Sequence, residues 1–147
     1  SFLEWQRYTL FNICAGLTGE ELARSALAST NLTLLGLVRH MAKVERTWLR
    51  ERVAGQELAP MYDPALGKDA DFEDLDPARA EQDFARLAEE LRLGDEAVAS
   101  HSLEDTFDLR GEPCSLRLVY VHLVTEYARH NGHADLIRQA IDGATGR

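Results

Sequence analysis

From Ala80 the chain places Phe84, Leu87, Leu91, Gly94 and Val98 at steps of four and three, just after an Asp76-Pro77 pair suited to starting a helix. Such steps put these residues on one side of a helix with 3.6 residues per turn. Three more segments carry the same rhythm: Ser1 to Cys14, about Asn31 to Ala54, and about Ser115 to Ile141. No alternation of apolar and polar residues runs long enough to demand a sheet. A chain of this kind buries its stripes by packing helix on helix, and the sequence predicts an all-α four-helix bundle with a long crossover between helices two and three. At 147 residues, 45% of them apolar, it is long enough for one domain over residues 1–147 with a single core.

The ends of the segments carry stop and start signals. Thr18 and Glu21 form a capping-box pattern for a short helix near Glu20 to Ser25, Gly55 can close the second long helix, and Gly143 the last. The stretch QELAPMYDPALGKDADFEDLD has two prolines and five Asp, so it reads as a long connection rather than a buried element, and as a place for a lid or a dimer contact. HSLEDTFDLRGEPC reads as a loop.

Charge narrows the function. A net charge of −9 leaves no clustered Lys and Arg to neutralise phosphates, so no nucleic-acid partner is expected. Cys14 and Cys114 are a hundred residues apart and outside any CxxC pattern, so neither a disulfide framework nor a thiolate zinc site is indicated. No charged leader and no apolar run long enough for a bilayer is present, so no membrane partner and a cytoplasmic location are expected. The helical rhythm already running at Ser1 suggests that a few residues precede it. HExxH, GxSxG, GxxxxGK[ST] and GxGxxG patterns are all missing.

What remains is a set of polar residues on the inner stripes. Val119, Leu123, Glu126, His130, His133, Ile137 and Ala140 share one stripe of the last helix, and His40 lies within the Leu37, Met41, Val44, Trp48 stripe of the second. The inner face of the third helix reads as wholly apolar, and no Lys or Arg is expected on the inner stripes of helices two to four. A buried carboxylate without a partner costs several kcal/mol, on the order of a lost ion pair, so Glu126 needs a cation. One divalent ion would satisfy His40, Glu126 and His130 together. The plain reading is a hydrogen-bonded core histidine beside a chance Glu-His pair. His122 lies toward the edge of the stripe, where a ligand is one reading but a hydrogen-bond donor behind a ligand or an exposed residue is favoured; His133 orients the site or hydrogen-bonds within the core, and His101 belongs to a loop. A dinuclear site would need further ligands on helix three, which offers none.

The blocks LLGLVRHMAKVERTWL and SLRLVYVHLVTEYARHNGHADLIRQAIDGATG resemble the DinB-like superfamily of metal-binding four-helix bundles, over nearly the whole chain. More narrowly, they are similar to an actinobacterial uncharacterised branch related to mycothiol-dependent maleylpyruvate isomerase. The resemblance implies a metal held by His40, Glu126 and His130. Many members have His where this chain has Glu126, whereas the isomerase branch is similar in using a carboxylate there. Three mixed nitrogen and oxygen ligands leave a position open, as in catalytic sites, with zinc the first choice and nickel, iron or manganese alternatives. The resemblance further implies a low-molecular-weight thiol such as mycothiol as cofactor, a small-molecule substrate and a homodimer. The expected function is a metal-dependent enzyme, a thiol-dependent transferase or isomerase or a hydrolase. The alternatives are a non-catalytic metal-binding or dimerisation module, and a metal-free bundle with a hydrogen-bonded polar core.

Overall fold

The structure, a computed structural model, describes residues 1–146. It is mostly helical, with one two-stranded sheet among the described residues. Helix α1 (Phe2–Cys14) begins at a capping box in which the Ser1 hydroxyl accepts from the Glu4 amide. Thr18 and Glu21 form the second capping box, on α2 (Gly19–Leu22), which is shorter than the expected Glu20–Ser25. Helix α3 (Leu34–Glu45) starts three residues later than its rhythm suggests, because Thr33 takes the cap and accepts from the Gly36 amide. It continues as a wider π-helical segment, Arg46–Val53, which gives out at Gly55 with φ +67°, the expected stop.

Asp76 and Pro77 open a single 3-10 turn that runs straight into α5 (Ala80–Val98). Helix α6 (Leu116–Asp142) is capped by Ser115 and ends at Gly143 in the left-handed region. Helix α1 packs on α6, and α3 packs on both α5 and α6. Leu10, Leu34, Leu37, Met41, Leu49, Leu87, Val119, Leu123, Tyr127 and Ile137 lose all their exposure in the shared core. Burying a Leu or Val completely is worth about 1.5–3 kcal/mol each, so this core dominates what holds the helices together.

Four expectations need correction. HSLEDTFDLRGEPC is no plain loop: β1 (Thr106–Leu109) pairs antiparallel with β2 (Glu112–Ser115). Arg110 and Gly111 make the two-residue turn, both with positive φ, which matches the right-handed twist of a hairpin. The T-F-D-L alternation is present but only four residues long, and it turns Phe107 and Leu109 to the core.

The acidic connection is not wholly a loop either. It contains α4 (Ala70–Glu73), where Ala70 and Asp71 are buried. Polar side chains of α3 and its continuation hold the segment down: Arg39 donates to the Asp71 and Ala70 carbonyls, Lys43 to that of Lys68 and Arg46 to that of Ala59. The Tyr62 hydroxyl donates back to the Arg39 carbonyl at 2.7 Å.

The third correction concerns charge. Arg39 on α3 is buried, and so are Asp83 and Glu90 on the α5 face that periodicity marks as apolar. Each has a partner across the helix interface: Arg39 meets Asp83 at 3.4 Å, and Arg50 meets Glu90 at 2.9 Å. Glu45, with no exposed area, takes two 2.7 Å hydrogen bonds from Arg7 of α1. Apolar periodicity is blind to charges that neutralise one another across a gap.

The fourth concerns α6. Its fully buried line is Val119, Leu123, Tyr127, Ala134 and Ile137, with Asn131 donating to the Gln6 carbonyl. Glu126, His130 and His133 flank this line half-buried, and Ala140 is exposed.

Candidate functional site

His40 comes from the middle of α3, and Glu126 and His130 from successive turns of α6, where these two helices touch. One ligand atom from each of the three residues lies within 4.8 Å of the others. Glu126 Oε2 sits 3.8 Å from His40 Nε2 and 3.4 Å from His130 Nε2. The two imidazoles meet edge to face, with centroids 4.8 Å apart.

The donor set fits a divalent ion. Ligands about 2.1 Å from a tetrahedral ion lie roughly 3.4 Å from one another, so the observed spacings need only small side-chain adjustments. Burial, then the neighbouring His40, pushes the His130 imidazole down to about 4, against the pull of the Glu126 carboxylate. A neutral ring keeps a lone pair for coordination.

His40 is oriented from behind by a residue that the sequence reading missed. Its Nδ1 lies 2.8 Å from Asp71 Oδ2, and its ring stacks on Phe72 at 4.9 Å, both residues of α4. Burial alone pushes the Asp71 carboxyl up, but the His40 hydrogen bond and the Lys43 ammonium 3.6 Å away outweigh it, holding Asp71 below the usual carboxylate range. An ionised Asp71 accepts a hydrogen bond from His40 Nδ1–H, which keeps the proton on that nitrogen and leaves the Nε2 lone pair free on the side of Glu126. No periodic signal marks Asp71; only its place in a segment that folds back on α3 reveals it.

The two other histidines are also near. His133 Nδ1 lies 3.3 Å from His130 Nδ1, where it can fix that ring's tautomer. His122 Nε2 is 4.0 Å from Glu126 Oε1, beyond hydrogen-bond range, and its ring packs against Trp48 at 4.3 Å. His101 lies in the turn after α5, 3.5 Å from Asp105, as a loop residue. No helix among the described residues is long and apolar enough to cross a membrane.

No curated protein and no solved structure matches the chain. A family model does: that of the mycothiol-S-transferases matches residues 1–143, a span that includes His40, Asp71, Glu126 and His130. With that span covering nearly all of its length, the chain belongs to the mycothiol-S-transferase family, within the DinB-like superfamily.

Proposed function

We propose that the protein is a metal-dependent thiol transferase that uses a small cellular thiol, mycothiol in the first instance. The convergence of His40, Glu126 and His130 carries the reading, and the family match supports it. These three side chains would hold the ion, zinc first and nickel, iron or manganese next. Bound there, a divalent cation supplies the positive charge that favours a thiolate over a thiol near neutral pH.

The chain's own contribution is orientation. Asp71 keeps the proton on His40 Nδ1, and His133 faces the outer nitrogen of His130. Glu126 offers a single negative charge, so two neutral imidazoles and one carboxylate leave a net positive centre for a sulfur anion. In the transfer the thiol proton leaves to solvent, sulfur forms a bond to an electrophilic carbon, and the leaving group departs with its bonding pair. Isomerisation assisted by the same thiol would begin with sulfur adding to an unsaturated carbon, the π pair moving onto the conjugated carbonyl, and would end with the thiol expelled again.

The proposal extends to a single domain over residues 1–147, whose last residue lies outside the described ones, and to a DinB-like four-helix bundle with a long crossover. A cytoplasmic homodimer completes it, resting on the family resemblance.

Elemental analysis of untagged protein tests the ligand set. One equivalent of metal is expected in the parent and none in His40→Ala or His130→Ala; metal kept by both variants refutes it. Thiol-consumption assays with mycothiol and small electrophiles then separate the enzyme from a non-catalytic module. Bound metal with no turnover and no thiol affinity would favour the module.

A further inference from the structure

The π-helical segment that extends α3 displays two side chains which the metal site does not use. The Arg52 guanidinium lies 4.0 Å from the centre of the Trp48 ring, and Trp48 packs in turn against His122, next to Glu126. A guanidinium stacked by its face keeps its N–H edge free for a planar acceptor. Among the described residues no acceptor or carboxylate reaches Arg52 within bonding distance. Glu51, the neighbouring acid, is turned to Arg46 at 3.7 Å.

A second cation stands close by. Strand β1 packs on the π-helical segment, and the hairpin turn carries Arg110 at φ +58°, also without an ion-pair partner among the described residues. Burial first, then the charge of Arg110, holds the Arg52 guanidinium below its ordinary value. Glu51 pulls the other way but is turned to Arg46, so the two arginines keep an excess of positive charge that an anion can meet.

We propose that Arg52 and Arg110 bind the carboxylate of an organic electrophile, whose body lies along Trp48 and His122 with its reacting carbon toward Glu126. This deepens the transferase reading and rests on it for what the ligand does, though the binding itself needs no turnover. The run from Arg52 across Trp48 and His122 to Glu126 is three successive contacts of 4.0, 4.3 and 4.0 Å, so the acid must carry its reacting carbon at least one aromatic ring away from its carboxylate.

The test uses the metal-loaded full chain with Trp5→Phe, so that Trp48 is the only indole, and two unreactive quenchers, 3,5-dinitrobenzoate and its neutral amide. The acid is expected to quench Trp48 with the lower Kd, and Arg52→Met and Arg110→Met each to weaken it about tenfold, the scale of a lost charge-assisted contact, while leaving the amide unmoved. Arg110 sits on an exposed turn, so its variant keeps the test sound if Arg52→Met folds poorly. Equal affinity for acid and amide, or unchanged acid binding in both variants, overturns the proposal.

With mycothiol, the selectivity ratio kcat/KM for 4-chloro-3,5-dinitrobenzoate over chlorodinitrobenzene is expected to fall by a similar factor in Arg52→Met. The thiol sulfur bonds to the ring carbon, chloride leaves with its pair and the proton goes to buffer. Carboxylate binding that persists in a chain transferring no thiol supports the subsite and overturns the transferase reading alone.

Discussion

Asp71 Oδ2 lies 2.8 Å from His40 Nδ1, so the connection between the π-helical segment and α5 directly orients an imidazole of the candidate metal centre. The contact joins residues 31 positions apart, and Arg39 secures the same turn through the Asp71 and Ala70 carbonyls. Order in this connection and the donor geometry of the site are therefore one structural feature.

Removing that carboxylate should weaken metal binding without removing a ligand. For Asp71→Ala we expect affinity to fall by roughly 10–100-fold, the usual effect of losing the group behind a ligating histidine. Chelator competition measures it, and an unchanged affinity would show that His40 needs no orienting partner.

The Arg7–Glu45 pair makes a stability prediction. Arg7→Met strands a Glu45 carboxylate that has no exposed area, at a cost of about 3–5 kcal/mol. Arg7→Met with Glu45→Met removes both charges and should recover much of that loss. Urea unfolding of the two variants checks this; a double variant no more stable than the single would mean that the pair contributes more than charge compensation.

Gly94 lies where α5 approaches the π-helical segment closely. A Cβ there would meet Leu49 Cδ1 at 2.9 Å, and Leu49 is fully buried. Gly94→Ala should therefore destabilise by about 1–3 kcal/mol from overpacking, even though Ala favours a helix over Gly by about 1 kcal/mol. Thermal unfolding decides the sign, and a rise in Tm would show that Leu49 has room to rotate away.

Cys14 sets an alkaline limit. Burial pushes its thiol up to about 12, against the weaker opposing pull of Arg138. The unfolded chain releases this proton near pH 9 and the folded chain holds it, so the contribution is complete below pH 9 and lost as pH rises toward 12, by about 1.4 kcal/mol per pH unit. Unfolding free energies at pH 8.5, 9.5 and 10.5 should fall less steeply for Cys14→Ala than for the parent. Parallel slopes would mean that the folded thiol ionises normally, and rapid native-state alkylation of Cys14 would say the same.

The sequence by itself determined where the long helices lie and how several of them end. Caps such as Thr18 and Ser115 and stops such as Gly55 and Gly143 act within a few residues, and local steric and hydrogen-bonding rules set them. It also determined that Glu126 and His130 share one side of a helix, because a spacing of four fixes that in any α-helix. Tertiary structure decided that His40 meets them, that Asp71 stands behind His40, and that Arg39 and Glu45 are neutralised across helix interfaces. It also gave Arg52 an aromatic floor on Trp48 with no carboxylate in bonding reach among the described residues. Apart from that one-turn stack, each of these depends on which segments the chain brings together after folding, and a stripe of apolar residues records that a face is buried but not what faces it.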